Sequence, residues 1–168
     1  MTLWVDKLAD ALGEMERLYR QLADAETVRS DAIRRYDTEG VAEADAACGK
    51  VAEGIGAADA LRREAAAELG KALNLPGSIR RPPRLVQIAD RLADAPKERL
   101  LGLHGILRKR VEAVQQKSSV NAAVTEKMLR HFHRLMTIVA GGGATHKTYG
   151  ATGRIAPAGN ASLVNQLA

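Results

Sequence analysis

Apolar residues recur at helical spacing along most of this chain. From Leu3 to Tyr36 the stripe reads Trp4, Leu8, Ala11, Met15, Leu18, Leu22, Ala25, Ala32 and Tyr36, widened by Val5, Leu12, Tyr19 and Ile33, with Arg29 as the one discordant position. No proline and a single glycine, Gly13, interrupt it. The pattern predicts one helix over about 3–37, roughly 50 Å long. After the polar stretch "DTEG" the stripe resumes as Val41, Ala44, Cys48, Val51, Ile55, Ala58, Ala65, Leu69 and Ala72, with Arg62 out of pattern. This predicts a second helix over 41–73, antiparallel to the first if "DTEG" is a turn. Gly49, Gly54 and Gly56 each weaken it by about 1 kcal/mol relative to Ala, so either the backbones approach closely there or this helix is the weak element.

Three prolines in "NLPGSIRRPPR" end that helix, because proline donates no amide hydrogen and biases the residue before it away from helical geometry. Leu85, Ile88, Ala89 and Leu92 then support a short helix over 84–92. Pro96 stands at a favoured first helical position, with Glu98 close to the positive helix end. From there to about Ala140 the stripe is Leu100, Leu103, Leu107, Val111 and Val114, then Val124, Met128, Phe132, Leu135 and Val139. The interlude "QQKSSVN" puts Ser118 and Asn121 in the seam, where a buried polar residue can fix alignment at some cost in stability, or can serve function. Gly141–Gly143 stop the helix, and residues 141–168 are rich in Gly, Ala, Thr and Asn, with no core to join.

These elements predict an all-α fold: an elongated antiparallel helical bundle or coiled coil of three long helices plus a short one over 1–140, followed by a flexible glycine-rich tail over 141–168. Composition agrees, since aromatics are only 3% of 168 residues and a sheet would want more Val, Ile, Tyr and Phe. No apolar run reaches the ~18 residues of a membrane span, and Asp6 and Asp10 interrupt the amino-terminal stretch where a signal peptide would be apolar. A cytoplasmic protein is expected. The single cysteine, Cys48, is compatible with a reducing compartment.

The net charge of +5 conceals an asymmetry. Residues 1–73 carry 10 Lys and Arg against 15 Asp and Glu, whereas residues 74–140 carry 13 against 5. The halves can attract each other when folded together, and the basic half can also meet an acidic partner. The clusters "IRRPPR" and "LRKR" raise a nucleic-acid reading. Phe132 and Tyr149 are the only aromatics in the second half that could stack on bases, and no helix-turn-helix or zinc-finger spacing is present. A structural coiled-coil adaptor is the other alternative.

Catalytic and metal motifs are not found. His131 and His133 point about 200° apart on a helix and cannot share one ion; the plainer reading sets His131 beside the seam and His133 in solvent. The glycines at 141–143 follow a helix, whereas a phosphate cradle follows a strand and opens a helix. Glu14 and Glu16 belong to a charge-rich face without a pocket to shift them, and Cys48 sits in the seam between small residues. The chain is therefore not expected to be an enzyme, nor to hold a metal or cofactor.

One motif remains. "TYGATG" lies just past a long final helix in a small helical chain. In this it resembles the FlgN family of flagellar export chaperones, whose members carry a Tyr-Gly-x-x-Gly type motif in a mobile tail; Tyr149, Gly150 and Gly153 fit it. The family's final helix also carries an Asn-Gly pair followed by apolar residues, which here reads Asn121-Ala122, then Val124, so the asparagine matches and the glycine does not. The resemblance implies chaperoning of the hook–filament junction proteins FlgK and FlgL through their carboxy-terminal helical segments, with delivery to the export gate protein FlhA. It makes Asn121, Val124, Met128, Phe132 and Leu135 the candidate client surface, and Tyr149, Gly150 and Gly153 the candidate gate-docking element.

Overall fold

The computed structural model of the protein describes residues 1–139, together with 148–149 and 155–156. The helices are α1 (Thr2–Arg34), α2 (Thr38–Ala72), α3 (Leu85–Ala89) and α4 (Asp94–Val139). The fold is all-α. Contacts divide the chain into two units, residues 1–122 and 123–168.

In the first unit α2 runs antiparallel to α1, since Arg29 meets Asp45 while Leu18 packs against Gly54. The part of α4 up to residue 122 runs parallel to α1: Arg99 binds Asp6, Arg110 binds Glu16 and Lys117 binds Thr27, the numbers rising together. Val5, Leu8, Leu12, Met15 and Leu18 of α1 form the core with Ala58, Ala65 and Leu69 of α2, Ile88 of α3, and Leu100 and Leu107 of α4. The fully buried members are Leu8, Leu12, Leu69, Ile88 and Leu100. On α4 the buried positions Leu100, Leu107, Val114 and Asn121 recur every seventh residue, the spacing of a coiled-coil seam.

Helix ends differ from the sequence reading where turn geometry is not written in glycine. α1 stops at Arg34 rather than near 37, because Tyr36 adopts a left-handed backbone at φ 57° and Asp37 N–H returns to Ala32 O at 3.0 Å. This is a helix-ending turn that usually takes glycine. Tyr36, expected in the seam, is consequently 78% exposed. Asp37 then caps α2, its side chain accepting from Gly40 N–H at 2.9 Å. α2 ends by the same motif with Asn74 at φ 55° and Leu75 N–H bonded to Gly70 O at 2.8 Å, which leaves Ala72 exposed rather than in the seam. α4 begins two residues before Pro96, so that proline lies within the first turn, where no amide partner is needed.

The glycines of α2 are explained unequally. A β-carbon on Gly49 or Gly56 would meet nothing within 4 Å, and one on Gly54 only the end of Leu18 at 3.3 Å. Close backbone approach is therefore not what they serve, and α2 is weakened there. At Gly70, by contrast, a β-carbon would fall 2.5 Å from Cγ of the buried Pro83. Gly49→Ala is expected to stabilise the chain by about 1 kcal/mol. Gly70→Ala should destabilise it despite the same gain in helix propensity, by about 1–3 kcal/mol. Urea unfolding of the two variants checks the opposite signs.

In the second unit, residues 123–139 are helical as the end of α4, and Thr148–Tyr149 pairs antiparallel with Ile155–Ala156. The sequence reading did not anticipate that pairing. The expected helix stop at Gly141–Gly143 and the rest of the expected flexible tail lie outside the described residues.

Candidate functional site

Six polar side chains tie α1, α2 and α4 together at the level where the apolar seam of α4 is interrupted. Asn121 is 2% exposed, and its side-chain amide donates to Glu26 O at 3.0 Å and Glu26 Oε2 at 2.8 Å. Glu26 is itself 4% exposed. Its carboxylate also lies 3.7 Å from Arg29, whose Nε stands 2.7 Å from Asp45 Oδ1 on α2. That last contact is an ion pair and not an aligned hydrogen bond. Lys117 donates to Thr27 Oγ1 at 2.6 Å, one turn before Asn121. Arg29, discordant in the apolar stripe, is thus the α1–α2 bridge, and Asn121 is the seam asparagine bonded to a buried acid. Of the two readings of that asparagine, alignment of α4 on α1 is the one this geometry supports. Ser118 is half-buried beside it.

Cys48 lies near this layer, and its thiol is pushed up from the ordinary value by burial first and by the Glu26 carboxylate second. Little thiolate forms at neutral pH, which makes it a poor nucleophile. The carboxyl of Glu14 is held below its usual value by its hydrogen bond to Arg17, on the open surface. An open groove of about 370 Å³ between α1 and α2 is lined by Trp4, Lys7, Ala11, Ala58 and Leu61 among others. It gathers no nucleophile with a base. Among the described residues, no group of three or more His, Cys, Asp or Glu is placed to hold a metal ion, and no helix is long and apolar enough to cross a membrane.

Beyond Asn121 the stripe on α4 continues but its exposure changes. Val124 is 38% exposed, Phe132 60% and Leu135 47%, while Met128 is half-buried. Leu129, Met136, Ile138 and Val139 are exposed as well. Leu129 and Met136 stand seven apart along one flank of the stripe and widen it. Sequence reasoning passed over them because each follows a stripe residue by one position and falls outside the strict seam. Of the five residues expected at a client surface, the structure therefore exposes Val124, Phe132 and Leu135, shields Met128 in part, and commits Asn121 to Glu26. Basic residues Lys127, Arg130 and Arg134 interleave with the apolar ones, with Glu126 as the only acid of 123–139.

Tyr149 occurs in the short strand pair, opposite Ile155. Gly150 and Gly153 fall in the sequence between the two strands and lie outside the described residues.

The chain matches the model of the FlgN protein family over residues 1–157, which takes in all four helices and the Tyr149 motif. It belongs to the FlgN family. FlgN proteins are a family of flagellar export chaperones and not an enzyme family. No curated protein and no solved structure matches the chain.

Proposed function

We propose that this FlgN-family chain acts in the cytoplasm as the chaperone of the hook-associated proteins FlgK and FlgL, binding their carboxy-terminal helical segments and delivering them to the export gate protein FlhA. The observation that carries the reading is the exposed apolar stripe of Val124, Leu129, Phe132, Leu135 and Met136 on the end of α4. Contiguous apolar surface on a soluble helix marks a binding face. An amphipathic client helix that cannot yet bury its own apolar side would cover it by helix-on-helix packing. Met128 and Met136 suit a face that must adapt, because an unbranched thioether fills irregular gaps.

In this reading Asn121 works from inside. Its bonds to Glu26 fix the alignment of α4 on α1, and the client surface begins at Val124. Tyr149, with Gly150 and Gly153, serves as the gate-docking element, so holding the client and delivering it belong to different segments. Tyr149→Ala should leave the client complex intact while export of the client into the medium falls severalfold. Export measured in cells carrying the variant, alongside co-purification of chaperone and client, tests this. Loss of co-purification in Tyr149→Ala would contradict the division of roles.

A further inference from the structure

The connection between α2 and α3, followed through α3, is basic and free of acids: from Asn74 to Ala89 it holds Arg80, Arg81 and Arg84 and no Asp or Glu. Among the described residues none of these three arginines has an ion-pair partner, whereas Arg17, Arg62, Arg99 and Arg110 each do. Residues 76–81 are all exposed, and among them Ile79 is 55% exposed. Yet the segment is firmly tied at its base. Leu75 N–H is bonded to Gly70 O, Ser78 and Arg81 exchange backbone hydrogen bonds at 3.0 and 3.1 Å, and Pro83 is buried against Gly70.

We propose that this loop is a contact site for an anionic lipid bilayer, with Ile79 entering the interface and Arg80, Arg81 and Arg84 meeting headgroup phosphates. Charge complementarity supplies the attraction, since arginines near an anionic surface are drawn to it individually and additively. A fixed loop loses little conformational freedom on contact. The exposed Pro76 adds a specific advantage: it carries no amide hydrogen and so removes a donor that would otherwise lose water at the interface. Ile79 decides between partners. A single-stranded nucleic acid would be met by an aromatic residue stacking on its bases, and the loop offers none. An acidic peptide would want a groove, and residues 76–81 are all exposed. The inference does not rest on the export reading.

The test is co-sedimentation of the full chain with vesicles of equimolar phosphatidylglycerol and phosphatidylcholine, against vesicles of phosphatidylcholine alone, at low salt. Binding is expected only to the anionic vesicles and should fall steeply as salt shortens the screening length. The triple variant Arg80→Gln, Arg81→Gln, Arg84→Gln should lower the partition coefficient at least ~10-fold, and the corresponding triple change to Lys should retain it. Ile79→Ser should lower it roughly 3-fold or more, at constant charge. Neutralising Lys127, Arg130 and Arg134 instead should leave it nearly unchanged. Thermal melting of each variant confirms that the bundle is intact. Equal binding to neutral vesicles, or an equal loss on neutralising the α4 residues, would overturn the proposal. So would absence of vesicle binding together with capture by a poly-glutamate peptide through the loop arginines, which would make the partner an acidic protein.

Discussion

Asn121→Asp is expected to lower the unfolding free energy by about 3 kcal/mol, measured by urea denaturation at neutral pH. The substitution keeps the shape and removes the donor. The new carboxylate would face Glu26 Oε2 and Glu26 O, the two acceptors that the asparagine amide now serves at 2.8 and 3.0 Å. Two carboxylates would then share a site that is about as buried as the core leucines, where Glu26 already has Arg29 at 3.7 Å and that arginine is also paired with Asp45. Asn121→Leu should cost less, about 1–2 kcal/mol, because it leaves Glu26 short of a partner without adding a charge. Pairing it with Glu26→Leu should recover that loss while removing the polar layer that fixes alignment. If Asn121→Asp and Asn121→Leu unfold alike, the Glu26 contact is not what holds α4 in register.

The second large effect separates binding from folding. Phe132→Asp with Leu135→Asp should weaken association with the FlgK carboxy-terminal segment by at least ~100-fold, since each apolar side chain of this size is worth about 1.5–3 kcal/mol when buried. The melting temperature of the free chain should stay the same, because these side chains are 60% and 47% exposed. Isothermal titration and thermal melting on one preparation read both quantities. A large fall in melting temperature would assign the stripe to the protein's own packing, and an unchanged affinity would remove it from the client surface.

The long helices were legible because their apolar positions keep period and nothing breaks them for more than 30 residues, as in α1. Their ends were less so. Tyr36 and Asn74 take the left-handed conformation that glycine adopts most readily, so the turn after α1, expected at "DTEG", falls earlier, at Arg35–Asp37. Buried charge was invisible for a different reason: Glu26 is an acid on a helix with many acids, and no apolar pattern marks it as internal. The clue lay 95 residues away, in an asparagine at a seam position that needed an acceptor. Arg29 stands out in the apolar stripe as an exception, and its reason is Asp45 opposite, on another helix. The exposed stripe at the end of α4 was readable from its period, whereas its width was not, because the exposure of Leu129 and Met136 is set by tertiary packing that the period does not carry. The proline-rich break read as a break; that Pro83 is packed onto Gly70, which makes it a fixed loop, depends on tertiary contact that no local rule supplies.

The most direct test of the account is light scattering coupled to size exclusion on the purified chain, alone and mixed with the carboxy-terminal segment of FlgK from the same organism. The account predicts a defined complex that persists at high salt, survives deletion of residues 141–168 and is lost in the Phe132→Asp, Leu135→Asp variant. Absence of a complex, with the chain eluting as a large self-assembly or retained on nucleic acid at low salt, would contradict it.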